Sequence, residues 1–146
     1  MGNGLIVHGT CIAIAGRGAL LRGAPGAGKS DLALRFISGY QAIGAALVSD
    51  DQVSLSCIDG RVISCPPAAI AGRMEVRGIG ILDVTHVTDI WLALIVDLCP
   101  GETIERLPPD PLPCEEVLGV PVPVAMLDAF DPSASVKLKI LLTGEI

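Results

Sequence analysis

The sequence predicts an α/β fold with a mixed β-sheet and flanking helices. Three observations lead there. Aliphatic runs such as Ala45 to Ser49 and Trp91 to Leu98 read as buried strands, which lose the polar alternation of half-exposed ones. A glycine-rich loop stands between one apolar strand and a segment with Leu32, Ala33, Phe36 and Ile37 on a single helical face. Strand segments outnumber helical ones, which a clean alternation of βα units would not give.

In order, Val7 to Ala15 reads as a strand ended by a Gly16-Arg17-Gly18 turn, and Ala19 to Arg22 as a second strand entering the glycine-rich loop. A helix is expected from Ser30 to Ile37, with Gly39 as its stop. Gln52 to Ser64 reads as a hairpin turning at Asp59-Gly60, a pair suited to a type I′ turn. Pro66 to Met74 is expected to be a loop, and the close glycines in Glu75 to Val84 a tight backbone feature. Trp91 to Leu98 is the best candidate for the central strand. Proline density from Cys99 to Pro123 predicts irregular chain around a short helix at Glu115 to Leu118, and Ser133 is expected to cap a last helix reaching Leu142.

Composition narrows the function classes. The 146 residues read as one domain over 1–146, long enough to bury one core. A net charge of −6 repels phosphate backbones, and aromatics at 3% make no extended base-stacking surface, so nucleic acid is not an expected partner. The longest uncharged run, Met1 to Gly16, is broken by polar residues and glycines, where a membrane helix needs roughly 20 mainly apolar positions. With no basic start before Arg17, a secretory signal is not expected either. Five widely spaced cysteines without a CxxC pair read as small buried thiols, and the expected location is cytoplasmic.

Gly23-Ala24-Pro25-Gly26-Ala27-Gly28-Lys29-Ser30 matches the P-loop pattern in full. Its glycines let successive N–H groups face a phosphate at a helix N-terminus, where the dipole favours anions. Lys29 is expected to reach the β- and γ-phosphates of ATP, and the Ser30 hydroxyl to hold Mg²⁺. Such a site needs a carboxylate from a neighbouring strand. Asp50-Asp51 ends the strand after the P-loop helix, where α/β sheets form their ligand crevice. Two adjacent carboxylates there can divide metal binding and proton acceptance. Taken alone, His8 reads more readily as a hydrogen-bonded structural residue of an apolar strand, and Glu75 and Arg77 as charges beside a strand that face water.

Together these residues resemble the catalytic domain of bacterial HPr kinase/phosphorylase. The similarity rests on His8-Gly9-Thr10, Gly18 to Gly23, Lys29 to Leu34, Leu47 to Asp51 and Met74-Glu75-Val76-Arg77-Gly78-Ile79-Gly80-Ile81, in the family's order over roughly residues 5 to 125. The resemblance implies a P-loop kinase domain of the phosphoenolpyruvate-carboxykinase-like type, distinct from the all-parallel NTPase sheet. It implies transfer of the γ-phosphoryl group of ATP to a serine of the phosphocarrier protein HPr. Asp50 would then be the catalytic base, and Asp51 would join Ser30 and Glu75 at Mg²⁺. His8 would tune the site, Lys29 would stabilise the transferring charge, and Arg77 would anchor the signature segment. A homo-oligomer, hexameric in longer relatives, is also implied.

Two departures accompany the resemblance. Longer members carry a domain ahead of the kinase domain, whereas seven residues precede His8 here. The family's Pro-Gly-Arg-Asn stretch has its nearest counterpart in Asp131-Pro132-Ser133-Ala134-Ser135, which lacks an arginine. Loss of that arginine bears on the phosphorylase half-reaction and leaves open a nucleotide-binding regulatory module without transfer activity. A small-molecule kinase on the same scaffold is the third alternative.

Overall fold

A computed structural model describes residues 4–146, so residues 1–3 of the expected single domain lie outside it. The chain begins with β1 (Leu5–His8), β2 (Thr10–Ile14), β3 (Arg17–Arg22) and α1 (Lys29–Tyr40). The strands β4 (Ala46–Ser49), β5 (Gln52–Ile58) and β6 (Arg61–Cys65) follow, then β7 (Arg73–Val76) and β8 (Gly80–Asp83). The last elements are β9 (Ile90–Leu98), β10 (Cys114–Val117), β11 (Val120–Leu127) and α2 (Ala134–Thr143).

Nine strands form one sheet in the order β1-β5-β6-β9-β3-β2-β4, with β11 branching from β9 and β10 pairing β11. Strand β9 is central, as its apolar run predicts. It runs parallel to β3 and β11 and antiparallel to β6. The other ladders are antiparallel, so the sheet is mixed. Strands β7 and β8 form a separate hairpin across Arg77-Gly78-Ile79, the tight feature expected there.

Alternating side chains divide the core. Ile12, Ile14, Leu21, Leu47 and Val96 face α1 and α2, meeting Leu32, Phe36 and Leu138. Met74 joins this side and fastens the β7–β8 hairpin to it. Cys11, Ala13, Leu20, Val48 and Ile95 face the other way, against Val53, Leu55, Val62 and Val122. These are all strand residues, so the sheet folds over on itself to close that layer. Among the described residues no helix is long and apolar enough to cross a membrane.

Several local expectations are corrected. The first strand breaks at Gly9, where the chain leaves β5 and joins β3 and β4. The β2–β3 turn is Ala15-Gly16, both at positive φ, so Arg17 and Gly18 lie in β3. Helix α1 passes Gly39; after a 3-10 turn the chain reverses at Gly44, whose φ is 97°. Arg73 and Met74 belong to β7 rather than to a loop.

The expected helix at Glu115 to Leu118 is strand β10, turning through Leu118-Gly119 (φ 51° and 79°) into β11. Val120, Val122 and Val124 alternate with Pro121 and Pro123, a period-2 pattern that the prolines obscure. Both prolines precede Val124–Leu127, the stretch paired with β9, so that ladder loses no donor. Ser133 precedes α2 but makes no side-chain cap; instead its N–H donates to Asp131 Oδ1 at 2.9 Å. All five cysteines are free, yet only Cys11 is fully buried. Burial pushes the Cys11 thiol up to about 12, against a smaller opposing hydrogen bond with Ser64.

Candidate active site

The glycine-rich loop leaves β3 at Gly23 and enters α1 at Lys29, with the Ala27 N–H closing a turn on Ala24 O at 2.9 Å. Gly28 precedes the helix at φ 95°, and a β-carbon added there would lie 2.8 Å from Ala129 Cβ, so glycine is required. No side chain caps this helix. The N–H groups of Gly26, Gly28, Lys29, Ser30 and Asp31 meet no protein acceptor among the described residues. A cluster of open donors at a helix N-terminus is what an anion occupies. The Lys29 ammonium lies inside its own loop, donating to Gly23 O at 2.7 Å and Ala24 O at 3.2 Å.

Behind the loop, the Ser30 hydroxyl donates to Asp50 Oδ1 at 2.8 Å, and the Thr10 hydroxyl donates to the same oxygen at 2.9 Å. Asp50 is buried at 8% exposure, and its Oδ2 takes no hydrogen bond. Since no buried side-chain oxygen goes unpaired among the described residues, Oδ2 reaches solvent. Asp51 stands at φ 71°, a strained position for a side-chain-bearing residue, inside a γ-turn closed by Gln52 N–H on Asp50 O at 2.8 Å. This turn aims two successive carboxylates in different directions. Ser30 is bonded to Asp50 and not to Asp51.

Gly9 N–H donates to Asp51 O at 3.1 Å, and His8 pairs with Gln52 across β1 and β5. His8 is therefore held beside the acidic pair, with its side chain exposed. Glu75 and Arg77, carried by the β7–β8 hairpin, line a cleft of about 450 Å³ with Gly26, Gly28, Lys29 and Ser30. Main-chain pairing and hydrogen bonds thus join Asp50, Asp51 and His8 to the Ser30 side of the loop, while the hairpin brings Glu75 to its open side.

Three further residues shape the site that spacing alone does not reveal. Thr10, the second donor to Asp50, looks like any strand threonine. Arg22, the residue before the cradle, forks onto Asp97 at 2.8 and 3.1 Å and onto Glu115 at 2.7 and 2.9 Å. It ties the root of the loop to β9 and β10 and holds the Glu115 carboxyl below the usual carboxylate range. Phe130, in the segment between β11 and α2, lines the same cleft beside Gly28. Phe130 also borders a larger, mainly apolar cleft of about 1010 Å³ near Ile104, Met126 and Leu141.

Among the described residues no preformed group of three His, Cys, Asp or Glu side chains surrounds a metal position. Mg²⁺ does not need one, because it keeps several waters and takes one or two carboxylates plus substrate phosphates. The Ser30 hydroxyl beside an Asp-Asp pair fits that donor set.

Comparison with known proteins gives a consistent result. Residues 1–99 match the family model of the HPr serine kinase C-terminal domain. The HPr kinase/phosphorylase of Leptothrix cholodnii is 40% identical over 131 residues, 79% of this chain and 38% of that protein. Its counterpart in Clostridium beijerinckii is 43% identical over 79 residues, 54% of this chain and 25% of that protein. The chain spans about two fifths of the length of its Leptothrix relative. The solved HPr(Ser) kinase/phosphatase from Coxiella burnetii superposes with a TM-score of 0.78 at 26% identity, covering 94% of this chain and 93% of that one.

Proposed function

The chain belongs to the HPr serine kinase C-terminal domain family, and on that premise we propose that it is a cytoplasmic kinase that phosphorylates a serine of HPr with ATP. One observation carries the reading: the Asp50 carboxylate is pinned through Oδ1 by Ser30 and Thr10 while Oδ2 stays open, directly behind a phosphate cradle. Pure nucleotide binding has no use for an oriented, accessible base. Transfer to a hydroxyl does.

In this mechanism the Lys29 ammonium exchanges the carbonyls of Gly23 and Ala24 for β- and γ-phosphate oxygens. The open amides of Gly26 and of Gly28 to Asp31 hold the phosphate chain in line. Asp50 accepts the seryl proton through Oδ2 as the serine oxygen bonds to the γ-phosphorus and the bond to ADP breaks. Bound Mg²⁺ would neutralise charge on the β- and γ-oxygens, held by Ser30 and Asp51 with Glu75 near its waters. The Ser30 hydroxyl could keep donating its hydrogen to Asp50 while a lone pair of the same oxygen served the metal. His8, fixed beside the pair, tunes the approach of the acceptor.

The segment Asp128–Ser133 carries no cation, so phosphate attack on a seryl phosphate gains no arginine from it. Forward transfer is therefore the activity proposed for the site, with phosphorolysis secondary. Homo-oligomeric, hexameric assembly belongs to the same reading through the family.

The test is incubation with γ-labelled ATP, Mg²⁺ and HPr, reading acid-stable label on serine. Label on HPr supports the kinase. ATP binding without any label on HPr favours a regulatory nucleotide-binding module.

A further inference from the structure

We propose that Phe130 is the platform for the nucleobase of the nucleoside triphosphate, in the cleft between the phosphate cradle and the β7–β8 hairpin. The inference rests on the nucleotide-binding part of the proposed function and extends it to a subsite.

Phe130 is 68% exposed although it is one of only two phenylalanines in the chain. Its ring lies against the cradle: a β-carbon built on Gly28 would lie 3.3 Å from Phe130 Cζ and 3.5 Å from Cε1. The ring is thus within reach of a base tethered through one ribose to phosphates on Gly28 to Asp31. The same cleft is lined by the apolar Leu34 and Val76 and by Arg77. Arg77 enters no ion pair or side-chain hydrogen bond among the described residues, which leaves its guanidinium plane open to a base or to the α-phosphate.

The backbone that carries the ring is fixed by its neighbours. Ala129 is buried at 1% against Gly28, while the next side chain, in the turn that follows, faces outward. Phe130 N–H donates to Asp128 Oδ1 at 2.9 Å, and Asp128 Oδ2 accepts from Gly101 N–H at 3.1 Å. Asp131 N–H donates to Asp128 O at 3.1 Å, and the Arg35 guanidinium donates to Ala129 O. The segment is clamped from both ends, which holds an aromatic face in place before any ligand arrives. Such preorganisation lowers the ordering cost of binding, and every base offers a π-face to it.

The experiment compares ATP with inorganic tripolyphosphate, both with Mg²⁺, by calorimetry on the wild-type chain, Phe130→Ala and Phe130→Tyr. The platform predicts that Phe130→Ala weakens ATP by about tenfold while tripolyphosphate is unchanged. Phe130→Tyr, which keeps the ring, should retain wild-type ATP affinity. Equal weakening of both ligands, or unchanged ATP affinity, overturns the platform and leaves the kinase reading standing. A wild-type chain that binds neither ligand overturns both.

Discussion

Ser30 and Asp50, twenty residues apart in sequence, meet at 2.8 Å through a hydroxyl-to-carboxylate hydrogen bond. The same Asp50 oxygen receives Thr10 at 2.9 Å from the strand that passes on its other side. Two hydroxyls therefore orient one carboxylate, but only Ser30 also faces the cradle.

The two donors should separate by phenotype. Thr10→Val removes a hydrogen bond to a buried charged group and should lower stability by about 2 kcal/mol in urea unfolding. ATP affinity should change little. Ser30→Ala removes the other bond to the same Asp50 oxygen and should cost about 1 kcal/mol, less than Thr10→Val because water can reach the half-buried Ser30 position. It should in addition raise the Mg²⁺ requirement for transfer by about tenfold or more. Equal loss of Mg²⁺ response in both variants would contradict this division.

The Lys29 ammonium donates to the carbonyls of Gly23 and Ala24 at the mouth of its own loop. Lys29→Ala should weaken ATP binding and reduce transfer by about 100-fold, since it removes a donor that serves ground state and transition state alike. An Arg replacement should not restore activity, because a planar fork cannot occupy the position of a compact ammonium. Steady-state kinetics on the two variants decides the point; full activity in Lys29→Arg would contradict it.

Much of this site was legible in the sequence because its parts obey local chemistry. The cradle is contiguous, and the acidic pair ends a buried strand next to it. Long-range placement was less visible. His8 reaches Asp51 only because Gly9 lets one strand switch partners, and that break has no periodic signal. Thr10 and Phe130 acquire roles solely through residues 40 positions away or more: Asp50 for the first, Gly28 for the second. The helix expected at Glu115 to Leu118 failed because proline density hid both the valine alternation of β11 and the Leu118-Gly119 turn.

Gly28 is constrained twice, by φ 95° and by Ala129. Gly28→Ala should cost about 1–2 kcal/mol for the left-handed backbone alone, with a further penalty for displacing the Ala129 segment. Urea unfolding measures the sum, and ATP affinity should fall with it because Phe130 moves with Ala129. Wild-type stability in this variant would contradict the packing described.

Cys11 provides a pH test remote from the site. Its folded thiol, raised to about 12, stays protonated where an unfolded thiol ionises from about 9, so the unfolded state gains as pH rises. Stability from this group is complete below about pH 9 and declines toward 12, by at most about 1.4 kcal/mol per pH unit. Unfolding curves of the wild-type chain should therefore fall more steeply with alkaline pH than those of Cys11→Ala. Parallel curves would mean that the thiol is not sealed in the sheet.

The proposed role of Asp50, taking the seryl proton behind the phosphate cradle, makes it the residue on which transfer depends most. Its most direct test is single-turnover transfer from γ-labelled ATP to HPr by the wild-type chain and by Asp50→Asn, with ATP affinity measured on both. Acid-stable seryl phosphate is expected with the wild type and none with Asp50→Asn, at ATP affinities within a few-fold of each other. Near-normal turnover in Asp50→Asn would contradict it.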